Sequence, residues 1–90
     1  MYTLNNNFQS TTLEGLRDCY VNHVLAGGSY DYIDEIHFEQ QVGGVHIERY
    51  LANHEILRFQ LDVDDMLDNA ECLKDSFGGD VTMRELKGDL

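Results

Sequence analysis

The sequence predicts an α+β domain of order α-β-β-β-α: a three-stranded antiparallel sheet with two main helices packed on one face and a short helix at the C-terminus. Three observations carry this reading. Apolar residues recur at three-four spacing over residues 11–28 and 63–77, they alternate over 30–51, and glycine pairs punctuate the chain at 27, 43 and 78. With 90 residues, 42% of them hydrophobic, one core can hold the whole chain, so residues 1–90 are read as a single globular domain rather than as acidic disorder.

The first helix is expected in "TTLEGLRDCYVNHVLAGG". Thr11 and Glu14 have capping-box spacing, Leu13, Leu16, Tyr20 and Val24 form the apolar stripe, and Gly27-Gly28 ends it. From Tyr30 the period becomes two. Tyr30, Tyr32, Ile36, Phe38 and Val42 fall on one face, and Asp31, Glu35, His37, Glu39 and Gln41 on the other. A two-residue Gly43-Gly44 turn then pairs Val42 with Val45, Gln40 with Ile47, Glu39 with Glu48 and Phe38 with Arg49. A third strand is expected in "ILRFQLDV", reached by a loop of Ala52, Asn53 and His54. Its register puts Leu61 beside Val45, Phe59 beside Ile47 and Arg58 beside Glu48.

A second helix follows. Val63, Met66, Ala70, Leu73 and Phe77 form its buried stripe, Asp62 or Asp64 caps it, and Gly78-Gly79 stops it. Thr82 and Glu85 have capping-box spacing before a short helix ended by Gly88, the favoured reading, while the alternation of Val81 and Met83 would suit a strand; "MYTL" at the start adds an edge strand or lies against the core. Cys19 and Cys72 are read as reduced residues packed at helix flanks, without chemistry.

Charge is the strongest functional signal. Seventeen acidic residues against six Lys and Arg give a formal net charge of -11, a surplus that argues against binding nucleic acid or anionic lipid directly and points to basic partners. Residues 31–80 hold 13 of the 17 acids and only three of the basic residues. On the second helix, Asp64, Asp68, Glu71 and Asp75 stand at i, i+4, i+7 and i+11, a column of carboxylates rising in steps of roughly 4.5 to 6 Å, near the spacing of phosphates along a nucleic-acid strand. Acids at i, i+4 repel, and only Lys74 answers them within "DVDDMLDNAECLKD". On the sheet, Glu35, Glu39 and Glu48 share the polar face with His37 and His46. The like-charge Glu39–Glu48 pair has two readings: Arg58 neutralises it, or a basic ligand completes the site.

Catalytic and cofactor motifs are missing. There is no phosphate-cradling glycine loop, zinc pattern or nucleophile elbow, and "DVDDMLDN" lacks the central Gly and distal Glu of a calcium loop. The expectation is therefore a binding protein that needs no cofactor and no metal, and not an enzyme. With no apolar run of about 18 residues and no leader-like start, the expected compartment is the cytoplasm of a bacterial host.

In size, charge and expected element order, with carboxylates on "DEIHFEQQ", "VHIERY" and "DVDDMLDNAECLKD", the chain resembles the small acidic anti-CRISPR proteins of phages. The resemblance implies a protein inhibitor that occupies the basic surface where a CRISPR effector engages its target DNA. Asp64, Asp68, Glu71 and Asp75, with Glu35, Glu39 and Glu48, would take the part of the phosphates, and Tyr50 would be an aromatic anchor. Helix, three strands, helix is also the plan of double-stranded RNA-binding domains, but the acidic second helix excludes that use. The alternative of another class is an immunity protein or antitoxin that caps a basic bacterial nuclease.

Overall fold

The computed structural model describes residues 1–5, 7–79 and 81–88, and of Phe77 only the backbone; the Phe77 side chain, expected in the buried stripe, lies outside the described part. The elements run β1 (Tyr2–Leu4), β2 (Phe8–Ser10), α1 (Leu13–Leu25), β3 (Ile36–Val42), β4 (Val45–Tyr50), α2 (Asn53–Phe77) and α3 (Met83–Leu86). The class is α+β as expected, but the sheet has four antiparallel strands in the order β2-β1-β3-β4.

The start of the chain does form a strand, though not an edge one. β1 lies between β2 and β3, with Leu4 opposite both Phe8 and Ile36. Asn5, whose short polar side chain tolerates the left-handed region, turns the chain at φ 47. α1 is capped one residue later than its sequence spacing suggests: Thr12 Oγ1 accepts from Gly15 N at 3.0 Å. Glu14 instead lies 3.8 Å from Arg17.

β3 and β4 pair in the expected register, with Val42 opposite Val45, Gln40 opposite Ile47, Glu39 opposite Glu48 and Phe38 opposite Arg49. Gly43 and Gly44 have φ of 56 and 80, the doubly positive pair that a tight hairpin turn with the twist of its strands requires. The alternation before Ile36 does not become strand. There the backbone is held by side chains: the Tyr20 hydroxyl donates to Asp31 O at 2.6 Å and accepts from Asp31 N at 2.8 Å, and Asn5 bonds Glu35 N and Tyr32 O, each at 3.2 Å. These bonds satisfy the peptide groups that a strand ladder would otherwise use. They also invert the expected burial, so that Ile33 is buried while Tyr30 and Tyr32 are exposed.

The expected third strand is helix. Residues 56–63 belong to the first half of α2, and the pairs Val45–Leu61, Ile47–Phe59 and Glu48–Arg58 do not form. Apolar residues at 57, 59, 61 and 63 satisfy a period of two, but Ile56, Phe59 and Val63 also satisfy the helical period and continue in phase to Ala70. The helix buries that second set and leaves Leu57 and Leu61 exposed. It starts at Ala52 rather than Asp62 or Asp64, where the Glu55 carboxylate accepts from Ala52 N at 3.1 Å. Arg49 on β4 reaches the same carboxylate at 3.3 Å. The C-terminal expectations hold. Gly78 ends α2 at φ 71, Thr82 caps α3 by accepting from Glu85 N at 3.3 Å, and Gly88 follows at φ 79.

The helices lie over the apolar face of the sheet, where Leu4, Ile36 and Leu51 join Leu16, Tyr20, Val21 and Val63 in the core. α1 packs on β1 and β2, and α2 packs on α1. Lys87 ties the C-terminal segment to α1 through Asp18 at 2.8 Å. The far half of the β3–β4 hairpin has no helix above it, so the molecule is elongated, 51 × 25 × 20 Å. Its radius of gyration of 14.7 Å exceeds the roughly 12 Å of a compact domain of this length. Cys19 and Cys72 are exposed free thiols rather than packed ones. No helix among the described residues is long and apolar enough to cross a membrane.

Candidate acidic interface

The stripe of Ile56, Phe59, Val63 and Ala70 fixes which way α2 faces. At 3.6 residues per turn, Asp64, Asp68, Glu71 and Asp75 then fall within a narrow band on one flank of the helix, about 120° round from the stripe. The expected column exists. Asp68, Glu71 and Asp75 are exposed, and among the described residues no ion pair with a cation forms at any of the four. Asp65, which sequence spacing set outside the column, is also exposed and adds a fifth carboxylate beside it.

Asp64, at the head of the column, is the exception. Half-buried, it accepts from the Tyr30 hydroxyl at 2.6 Å, and Gln60 Nε2 donates to that same hydroxyl. Burial and then the Asp64 carboxylate push the Tyr30 phenol above its ordinary pKa, so it stays a donor under all physiological conditions. Tyr30 therefore fastens the α1–β3 segment to the acidic helix. Below it, Tyr30 and Glu71 border a groove of about 420 Å³ between α1 and α2, floored by Val24, Leu25, Leu67 and Ala70. The bond of Tyr30 to a residue 34 positions away left no local trace in the sequence.

The other predicted acids are elsewhere. Glu39, Glu48 and Tyr50 lie on the sheet face opposite Leu4 and Ile36, turned away from the helices, and Glu35 is exposed in the segment just before β3. The structure thus divides the eight candidate residues between two sides of the molecule. Histidines, not Arg58, answer the Glu39–Glu48 pair: His37 Nδ1 lies 3.5 Å from Glu39 and its Nε2 4.0 Å from Glu48, while His46 is 3.2 Å from Glu48. Arg58 pairs with Asp62 at 3.6 Å on its own helix. Tyr50 stacks on the His37 ring with centroids 4.7 Å apart, which orients the imidazole and leaves less of Tyr50 for a partner. One donor atom each from His37, Glu39 and Glu48 lies within 4.8 Å of the others, a nitrogen-and-oxygen set that a divalent transition metal would accept.

No protein-family model matches the chain, and no curated protein or solved structure matches it.

Proposed function

We propose that this protein is an inhibitor that binds the basic nucleic-acid-binding surface of another protein, with α2 standing where a phosphate backbone would lie. The observation that carries the reading is the acidic column of α2, Asp64, Asp68, Glu71 and Asp75 with Asp65 beside it, whose four members form no ion pair among the described residues, on a chain of net charge -11. Lysines and arginines that release counterions on binding DNA would meet fixed carboxylates instead, giving steered association that weakens with salt. Among the described residues no charged side chain is buried, which suits a binding role better than acid-base catalysis.

The specific form of the proposal is that the partner is a CRISPR effector and the process blocked is its recognition of target DNA. Size and charge support that form. The observed order of elements differs from the α-β-β-β-α plan on which part of the resemblance rested, so the acidic surface carries the argument. Glu35, Glu39, Glu48 and Tyr50 are not on the α2 surface, and the mechanism does not require them.

The test is capture of partners from bacterial lysate at low and high salt, followed by displacement with double-stranded DNA. The expected outcome is recovery of a DNA-binding effector at low salt and its release by target DNA. Reversing Asp65, Asp68 and Asp75 to lysine should abolish capture while circular dichroism stays unchanged. Undiminished binding by that variant rejects mimicry, and recovery of a nuclease toxin would instead identify an immunity protein.

A further inference from the structure

We infer that the protein forms a two-fold dimer by pairing β4 with β4 of a second copy, extending the sheet across the free edge. This does not depend on the function proposed above.

The accessible surface is 6034 Å² for a 10.3 kDa chain, whereas a folded monomer of that mass exposes about 5,400 Å². The excess of roughly 600 Å² approaches the ~800 Å² that each partner contributes to a standard interface. Part of it lies on the outer half of the β3–β4 hairpin, where Val42 is 51%, Val45 60% and Ile47 43% exposed on the apolar face that no helix covers. All six residues of β4 are exposed, and the strand is the outer one of the sheet. The opposite edge, β2, has only three residues.

A free edge pairs readily with another strand, and here backbone geometry and charge select one register. Leu51 N donates to Ile36 O at 2.9 Å, so Val45, Ile47 and Arg49 turn their backbone groups toward β3, while His46, Glu48 and Tyr50 turn theirs outward. An antiparallel pair related by a two-fold axis through the sheet must join these outward residues to one another. Centring on Glu48 would set two carboxylates face to face. Centring on Ile47 sets the two isoleucines together on the apolar face, His46 opposite Glu48 of the second copy twice on the polar face, and Val45 opposite Arg49 twice. The second register gains imidazole–carboxylate pairs and an apolar centre where the first gains repulsion. Self-association at this edge also meets little opposing charge. Between Ile36 and Tyr50 the chain carries two carboxylates against Arg49, while α2 carries seven against two cations.

Sedimentation equilibrium of the full chain at several concentrations, read beside amide hydrogen exchange, tests the inference. The expected result is a dimer that tightens as salt screens the net charge, a trend opposite to partner capture by the acidic column. The His46 and Glu48 amides should be protected in the dimer. Ile47→Lys should weaken association about tenfold or more, and His46→Glu should weaken it where the double exchange His46→Glu with Glu48→Lys restores it. A chain that stays monomeric at every concentration overturns the inference. So does a dimer that is indifferent to Ile47→Lys, or one that leaves the His46 and Glu48 amides unprotected.

Discussion

The β3–β4 hairpin and helix α2 both extend past the compact core, and they expose opposite kinds of surface. The hairpin shows a stripe of branched aliphatic side chains and almost no net charge, whereas α2 shows five carboxylates along its C-terminal half with Leu57 and Leu61 nearer its start. Like surfaces can meet at the first; only a basic surface can meet the second without a charge penalty. The high net charge is therefore not spread over the fold as solubility alone would have it. Helix α2, with seven acids against two cations, holds the largest share of it, and the sheet edge is left nearly neutral.

The largest effect is expected at Phe59, buried between the layers: Phe59→Ala should cost about 3–5 kcal/mol in chemical denaturation. In the hairpin, Gly43→Ala forces a Cβ into φ 56 and should cost about 1–2 kcal/mol by the same measurement. Tyr30→Phe removes the bond to Asp64 and should cost at most about 1 kcal/mol, with faster amide exchange between α1 and β3. Changing Asp68, Glu71 and Asp75 together to their amides should stabilise the fold by a few tenths of a kcal/mol per relieved i, i+4 contact, even as it removes partner binding. A gain in melting temperature joined to loss of capture would mark the column as kept for binding. The smallest effect is expected at Leu57 and Leu61, where alanine should change stability by no more than about 0.5 kcal/mol. A strand at 56–63 would have made both residues core.

Acid should loosen the junction between the two regions. Glu55 has a lowered pKa because it accepts from Ala52 N, helped by Arg49. Its stabilisation is full above the ordinary carboxylate pKa and disappears as pH falls through the lowered one. The stability difference between the native chain and Glu55→Gln should thus be present at neutral pH and shrink below about pH 4.

The two regions also differ in how much of them local sequence reveals. Gly43-Gly44 between two valines carries its own turn geometry, and alternation on both sides leaves one register, so β3 and β4 were legible residue by residue. Residues 53–63 were not. Leu57, Phe59, Leu61 and Val63 alternate, Ile56, Phe59 and Val63 are helical, and the choice between them is made by continuity with Ala70 and by Glu55 at the helix start rather than by the segment itself. Likewise the alternation of Tyr30 and Tyr32 gives way to bonds from Tyr20 and Asn5, partners that only the folded chain brings near. At the site, the phase of Asp68, Glu71 and Asp75 was readable because Val63 and Ala70 are buried under either reading of the preceding segment. The separate role of Asp64 was not readable, since Tyr30 reaches it across the fold.

The column has one further property, which comes from its choice of acid. Asp65, Asp68 and Asp75 are aspartates where glutamate is the better helix former. The shorter side chain has fewer rotamers to surrender when it is held still. Its charge also stays close to the main chain, so the distances between neighbouring carboxylates are set largely by the pitch of α2. A partner meeting this helix would find a rigid ruler of charge in place of a flexible brush, and would be selected by the separation of its cations as much as by their number.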